Sequence, residues 1–302
     1  MCPLEGRASV RSRMDPDAGL GEASLTAGGY SPHDPGGPSR IATLPITGER
    51  LVPGTIGGRL FRQHEVRYVF AGAFVKNKRV LDVASGSGIG THYLLNAGAK
   101  SCIGLDIDTE AVKYAQAAYG GCIFTQCEAT RLCLAEESVD AVVSFETIEH
   151  ISDQKSFLHE CWRVLRPGGI FVCSTPNRTL TRWGEKNRYH IQEFTVAEFK
   201  ELITSVFTDV RLYAQDDSFY PLFAGRIVLS RLLNKMRLTR PIARVFGRES
   251  SSASGAAEFN GDWTHLSNEI ELLRTRPLRQ PAFVIAVAHK PLILRSQPAA
   301  EG

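Results

Sequence analysis

Long apolar runs are missing from this sequence: none approaches the ~20 residues that a membrane-spanning helix requires, so no span is expected. Charge of one sign is also scarce. A formal net charge of +3 over 302 residues is too small to argue for a nucleic-acid partner. The opening stretch MCPLEGRASVRSRMDPDAGLGEASL contains arginines but no apolar segment, which argues against a secretory signal and for an intracellular, cytoplasmic protein. The seven cysteines, Cys2, Cys102, Cys122, Cys127, Cys133, Cys161 and Cys173, are odd in number and include no C-x-x-C pair. Cys102 and Cys173 lie in apolar runs and read as small core residues, and a zinc site from Cys122, Cys127 and Cys133 is the weaker reading.

What is present is an alternation. Residues 1–45 are dense in Gly, Pro, Ser and Asp without apolar period and read as a disordered arm before a single domain over 46–290, with 291–302 as a flexible tail. Leu60, Phe61, His64, Val66, Tyr68, Val69 and Phe70 recur at helical spacing, which predicts an entry helix able to line a pocket mouth. Strands are then expected over 79–84, 101–106, 123–126, 139–145, 169–174, 210–214 and 282–288. Helices are expected over 90–97, 109–119, 153–165 and 195–206. Such alternation predicts an α/β fold: a doubly wound, seven-stranded, mostly parallel sheet with helices on both faces and ligands at its carboxyl edge. Residues 215–280 are too many for a turn and read as a lid or insertion before the last strand.

The stretch VLDVASGSGIGTHYLL, residues 80–95, runs from a buried strand through glycine and serine into a helix. Gly86, Gly88 and Gly90 allow a ligand to lie against the main chain at a helix start. Asp106 ends the next strand, where a carboxylate can take the two hydroxyls of a ribose. Together they describe an adenosine-containing cofactor. The dinucleotide fingerprint G-x-G-x-x-G is not met, because Thr91 stands three residues after Gly88, so NAD and a nucleotide-dependent oxidoreductase are disfavoured.

On these residues the chain resembles the class I S-adenosylmethionine-dependent methyltransferases. LDVASGSG is similar to the family's D-x-G-x-G-x-G loop and GLDID to its second motif. CEATRLCLAEESVDAVVSFETIEHI is similar to the third and fourth, and VLRPGGIFVCSTPN to the turn before strand five. Ala84 replaces the first loop glycine. The resemblance implies S-adenosyl-L-methionine as cofactor. Asp82, Ala84, Gly86 and Gly88 would surround its methionine part and Asp106 would bind the ribose. Ile107 would face the adenine, Glu128 with the Ala129 amide would read the adenine edge, and Phe145 and Glu146 would lie at the sulfonium end.

Methyl transfer is an in-line displacement governed by positioning, and a hydroxyl acceptor gains from a nearby base. His150 is the first candidate for that base, His190 the second and Glu149 the third. No ligand-spaced carboxylate set appears, so no metal is expected. The segments TGERLVPGTIGGRLFRQHEVRYVFA and YHIQEFTVAEFKELI resemble a bacterial branch of the family acting in glycan and surface-polysaccharide pathways, which implies O-methylation of a sugar or glycan-linked small molecule. Between 226 and 248, seven Lys and Arg residues with no Asp or Glu are interleaved with apolar ones. That pattern suits a phosphate-bearing or lipid-linked acceptor, with peripheral membrane contact through this segment. A single aromatic there, Phe246, disfavours RNA. The alternatives are a phenolic, isoprenoid-quinone-type or other natural-product acceptor, and a non-catalytic protein that binds the cofactor.

Overall fold

The computed structural model describes residues 44, 59–181, 187–215, 270–272 and 281–292. The expected N-terminal arm other than residue 44, the basic segment 226–248, most of the insertion and the tail from 293 onward lie outside the described residues. Among the described residues no helix is long and apolar enough to cross a membrane.

The first helix, α1 (Arg59–Gly72), leads into β1 (Arg79–Val83), α2 (Ile89–Asn96), β2 (Ser101–Asp106), α3 (Thr109–Ala118), β3 (Ile123–Gln126) and β4 (Val139–Phe145). A 3-10 turn at Ile148–His150 precedes α4 (Gln154–Val164) and β5 (Leu165–Pro176). The chain continues through the short α5 (Arg178–Thr181), α6 (Val196–Thr204), β6 (Thr208–Gln215), β7 (Ile270–Leu272) and β8 (Phe283–His289). The sheet order is β3-β2-β1-β4-β5-β8-β6-β7. Strands β3, β2, β1, β4 and β5 pair in parallel, β8 is antiparallel to both β5 and β6, and β7 is antiparallel to β6. The α/β architecture matches the expectation, with one addition: the three-residue β7, from the stretch expected to be insertion, makes an eighth strand at the edge.

Alternation along the strands divides the core. Leu81, Val83, Val142, Phe171 and Cys173 face α4 and α6, meeting Phe157, Cys161, Phe199 and Ile203. Val80, Cys102, Val143 and Val172 face the other way, toward Tyr68 and Ala71 of α1 and Leu94 of α2. Burial on both faces explains why these strands read as continuous apolar runs. The helix starts are fixed locally. Asp108 caps α3 by accepting from the Glu110 and Ala111 amides, and Thr195 with Glu198 forms a capping box on α6.

Candidate active site

A cavity of about 570 Å³ opens at the carboxyl ends of β1 and β4. There the strand order reverses, the position at which open α/β sheets bind ligands. Two residues at its floor hold left-handed backbone: Ala84, just after β1, has φ +61°, and Glu146, just after β4, has φ +51°. Each such residue costs roughly 1–3 kcal/mol and is kept where the surroundings impose it. Ala84 thus keeps the conformation that the family's glycine would adopt freely. Glu146 is held from below: its amide donates to Ser174 Oγ at 3.3 Å, and that hydroxyl donates to Glu146 Oε1 at 2.7 Å.

Asp106 lines the same cavity with its carboxylate fixed by main chain, the Gly86 amide donating to Oδ2 at 2.8 Å and the Asp108 amide to Oδ1 at 2.9 Å. Each oxygen keeps a second lone-pair position for a ligand hydroxyl. Ile107, beside it, is 68% exposed although large and apolar, so the cavity offers a flat apolar surface next to the carboxylate. Glu128, Ala129 and Thr130 follow along the rim, with Thr130 Oγ1 donating to Glu128 Oε1 at 2.8 Å. Phe145 closes the floor, edge-on to Tyr68 at 5.0 Å between ring centroids.

Of the expected site residues, Ala84, Gly86, Asp106, Ile107, Glu128, Ala129, Phe145, Glu146 and His150 line the cavity. Asp82, Gly88 and His190 do not. Asp82 is buried beneath the floor, where Thr91 Oγ1 donates to it at 2.7 Å and the Tyr68 hydroxyl at 3.2 Å. Burial pushes its carboxyl up to about 7. Gly88, with φ +82°, is a packing glycine: a Cβ there would meet Ala115 Cβ at 2.6 Å and the Phe124 ring at 2.8 Å.

His190 stands just behind His150, the rings edge to face at 4.9 Å. The contact is made by main chain, because the amides of Ile191 and Gln192 donate to the Glu149 carbonyl at 2.8 and 3.1 Å. His150 Nδ1 lies 3.0 Å from the Tyr189 carbonyl, and His190 Nδ1 lies 2.6 Å from Glu193 Oε1. Both acceptors are oxygens that offer lone pairs, so each Nδ1 donates its N–H, and the neutral form of each ring has its lone pair on Nε2. Glu149 is fully buried beside them, and burial with the nearby Glu146 charge holds its carboxyl well above the usual carboxylate range.

Sequence reasoning missed several lining residues: Thr147, Ile151, Ser152, Tyr189 and Ile191. The helical spacing before β1 had marked His64 and Tyr68 as able to line a pocket mouth, and both do. Burial, with Arg67 nearby, keeps the His64 imidazole well below its ordinary value and therefore neutral at pH 7. Arg67 is itself fully buried, 3.6 Å from Glu146 and 4.5 Å over the Phe283 ring.

A family model described as a methyltransferase domain matches residues 81–173, the span from β1 to the middle of β5. A Mycolicibacterium smegmatis protein named as a probable S-adenosylmethionine-dependent methyltransferase is 39% identical over 166 residues, 54% of this chain and 64% of that protein. The chain therefore spans less than two thirds of that relative's length. The ubiquinone biosynthesis O-methyltransferase of Parvibaculum lavamentivorans is 35% identical over 106 residues, 34% of this chain and 42% of that protein. A solved S-adenosylmethionine-dependent methyltransferase of Thermotoga maritima shares the fold with a TM-score of 0.51 at 16% identity, over 76% of this chain and 92% of that one. The glycine turn, the carboxylate closing β2, the left-handed residues ending β1 and β4 and the matched domain all fall on the same strand ends, and over residues 81–173 the chain carries a methyltransferase domain similar to those of S-adenosylmethionine-dependent methyltransferases.

Proposed function

We propose that the protein transfers a methyl group from S-adenosylmethionine to a hydroxyl of a sugar or glycan-linked small molecule. The observation that carries this reading is the continuity of one cavity from Asp106 and Ile107 at one end to His150 and Tyr189 at the other. The residues present fit the cofactor. Asp106, preset by two amides, would hold the ribose hydroxyls, and Ile107 would pack on the adenine. Glu128 and Ala129 would meet the adenine edge, Ala84 and Gly86 would admit the methionine part against main chain, and Phe145 and Glu146 would flank its sulfur. When bound, the cofactor supplies an electrophilic methyl group on a sulfonium.

At the far end Thr147, His150, Ser152 and Tyr189 line the wall. Hydroxyls and an imidazole there suit a polyhydroxylated acceptor, and an aromatic ring offers a stacking face. The Nε2 lone pair of His150 meets the acceptor hydroxyl and draws on its proton, while the walls fix the oxygen in line. A phenolic, quinone-type acceptor is the second reading, supported by the Parvibaculum relative and by Ile151 and Ile191 on the same wall. The test is transfer of a labelled methyl group to a panel of sugars, sugar phosphates, glycolipids and dihydroxyphenols. Label on sugars supports the first reading and label on phenols alone the second. No label on any acceptor, with cofactor bound, would leave a binding protein.

A further inference from the structure

Behind the acceptor wall the fold gathers Glu149, His150 and His190, one ligating atom from each within 4.8 Å of the others. We propose that these three side chains hold a divalent transition-metal ion of the zinc class, with an open coordination position for the acceptor's hydroxyl oxygen. What the ion does there rests on the methyltransferase reading; whether it binds does not.

Glu149 gives the first reason. Its side chain is fully buried, Thr175 Oγ1 donates to Oε2 at 3.1 Å, and Oε1 has no hydrogen-bond partner. A buried carboxylate oxygen without a partner is costly, and a cation satisfies it.

The histidines give the second. A metal-bound imidazole almost always donates its other N–H to a carboxylate or a carbonyl, which fixes the ring and its tautomer. Here His190 Nδ1 is set against the Glu193 carboxylate at 2.6 Å and His150 Nδ1 against the Tyr189 carbonyl at 3.0 Å. Both partnerships direct the lone pair to Nε2.

The donor set gives the third: two imidazoles and one carboxylate bind zinc in hydrolytic enzymes and leave a position for water or substrate. Ligands on ~2.1 Å bonds in a tetrahedron lie about 3.4 Å apart, so the triad would contract by up to about 1.4 Å on binding. His190 Nε2 now lies 2.9 Å from Asn187 Nδ2, a contact that coordination would displace. With the ion bound, the His150 lone pair is occupied. His150 then acts on the acceptor through the cation, which would lower the pKa of the bound hydroxyl so that its proton passes to solvent water as the methyl group is taken up.

Titration of the chelator-stripped full chain with Zn²⁺ by calorimetry, and with Co²⁺ by visible absorption, tests this. One equivalent is expected, with d–d bands and without the thiolate charge-transfer band that a site on Cys122, Cys127 and Cys133 would give. His190→Ala and Glu149→Gln should each weaken binding by roughly 100-fold or more. If Glu149→Gln fails to fold, His190→Ala carries the comparison. Absence of stoichiometric binding, a thiolate band, or unchanged affinity in His190→Ala would overturn the proposal. S-adenosylhomocysteine binding, measured on the same samples, tests the methyltransferase reading separately.

Discussion

The Gly86 amide and Asp106 Oδ2 lie 2.8 Å apart, a hydrogen bond that ties the turn after β1 to the end of β2 and fixes the carboxylate toward the cavity. Asp106→Ala removes both the proposed ribose acceptors and the partner of that amide. S-adenosylhomocysteine affinity should fall roughly 100-fold, about 3 kcal/mol, as two charge-assisted hydrogen bonds are lost. Thermal shift checks it: ligand at about 100 times its Kd adds ~2.7 kcal/mol to the wild type. NAD should give no shift in either protein, and an undiminished shift in the variant would remove Asp106 from the site.

Gly90 is needed for a different reason: a Cβ there would lie 1.9 Å from Tyr68 Cζ, inside the ring. Gly90→Ala must therefore push α1 away from α2, at a cost of about 1–3 kcal/mol or more. Truncating the ring relieves the clash, so Gly90→Ala should cost far less in a Tyr68→Ala background. Chemical denaturation of the four proteins gives the coupling. Additive effects would show that the ring does not occupy that space.

The strands and the cofactor loop were legible in the sequence because their signals are local. A strand buried on both faces is a continuous apolar run, and the glycine turn and the acid ending β2 occupy fixed short spacings. The motif alone places Asp82 and Gly88 at the methionine part of the cofactor. Their side-chain directions depend on what packs above them: Tyr68 and Thr91 take the Asp82 carboxylate, and Ala115 with Phe124 fills the space beside Gly88. The meeting of Glu149 with His190 has no local signal. It depends on two main-chain hydrogen bonds from Ile191 and Gln192 to the Glu149 carbonyl, between segments far apart in sequence. Ligand spacing along the chain therefore could not reveal the triad.

His150 lines the cavity after β4, and Asp106 ends β2, with β1 between them. His150→Ala should lower methyl transfer by about 100-fold or more, whether the ring takes the acceptor's proton or holds a cation that activates the hydroxyl, and leave S-adenosylhomocysteine affinity near that of the wild type. Turnover and ligand titration on the same preparation separate the two. Unchanged turnover would remove His150 from the chemistry.

Asp82 makes a prediction about pH. Burial raises its carboxyl from 3.8 to about 7 in the folded protein. Below pH 3.8 the group is protonated in both states and costs nothing. Between 3.8 and about 7 the folded state keeps a proton that the unfolded chain has released. Stability from this group therefore falls by up to about 1.4 kcal/mol per unit as pH rises, and levels off above that window. Glu65 is likewise raised to about 7 by burial, so the wild-type slope is shared. Asp82→Asn isolates one contribution, because its amide oxygen still accepts from Thr91 and Tyr68 while it carries no charge. Urea unfolding at pH 5 and pH 7.5 should show the variant gaining on the wild type by up to about 2 kcal/mol between the two conditions. A difference that stays constant with pH would mean that Asp82 is ionised throughout and that the Thr91 and Tyr68 hydroxyls fully offset its burial.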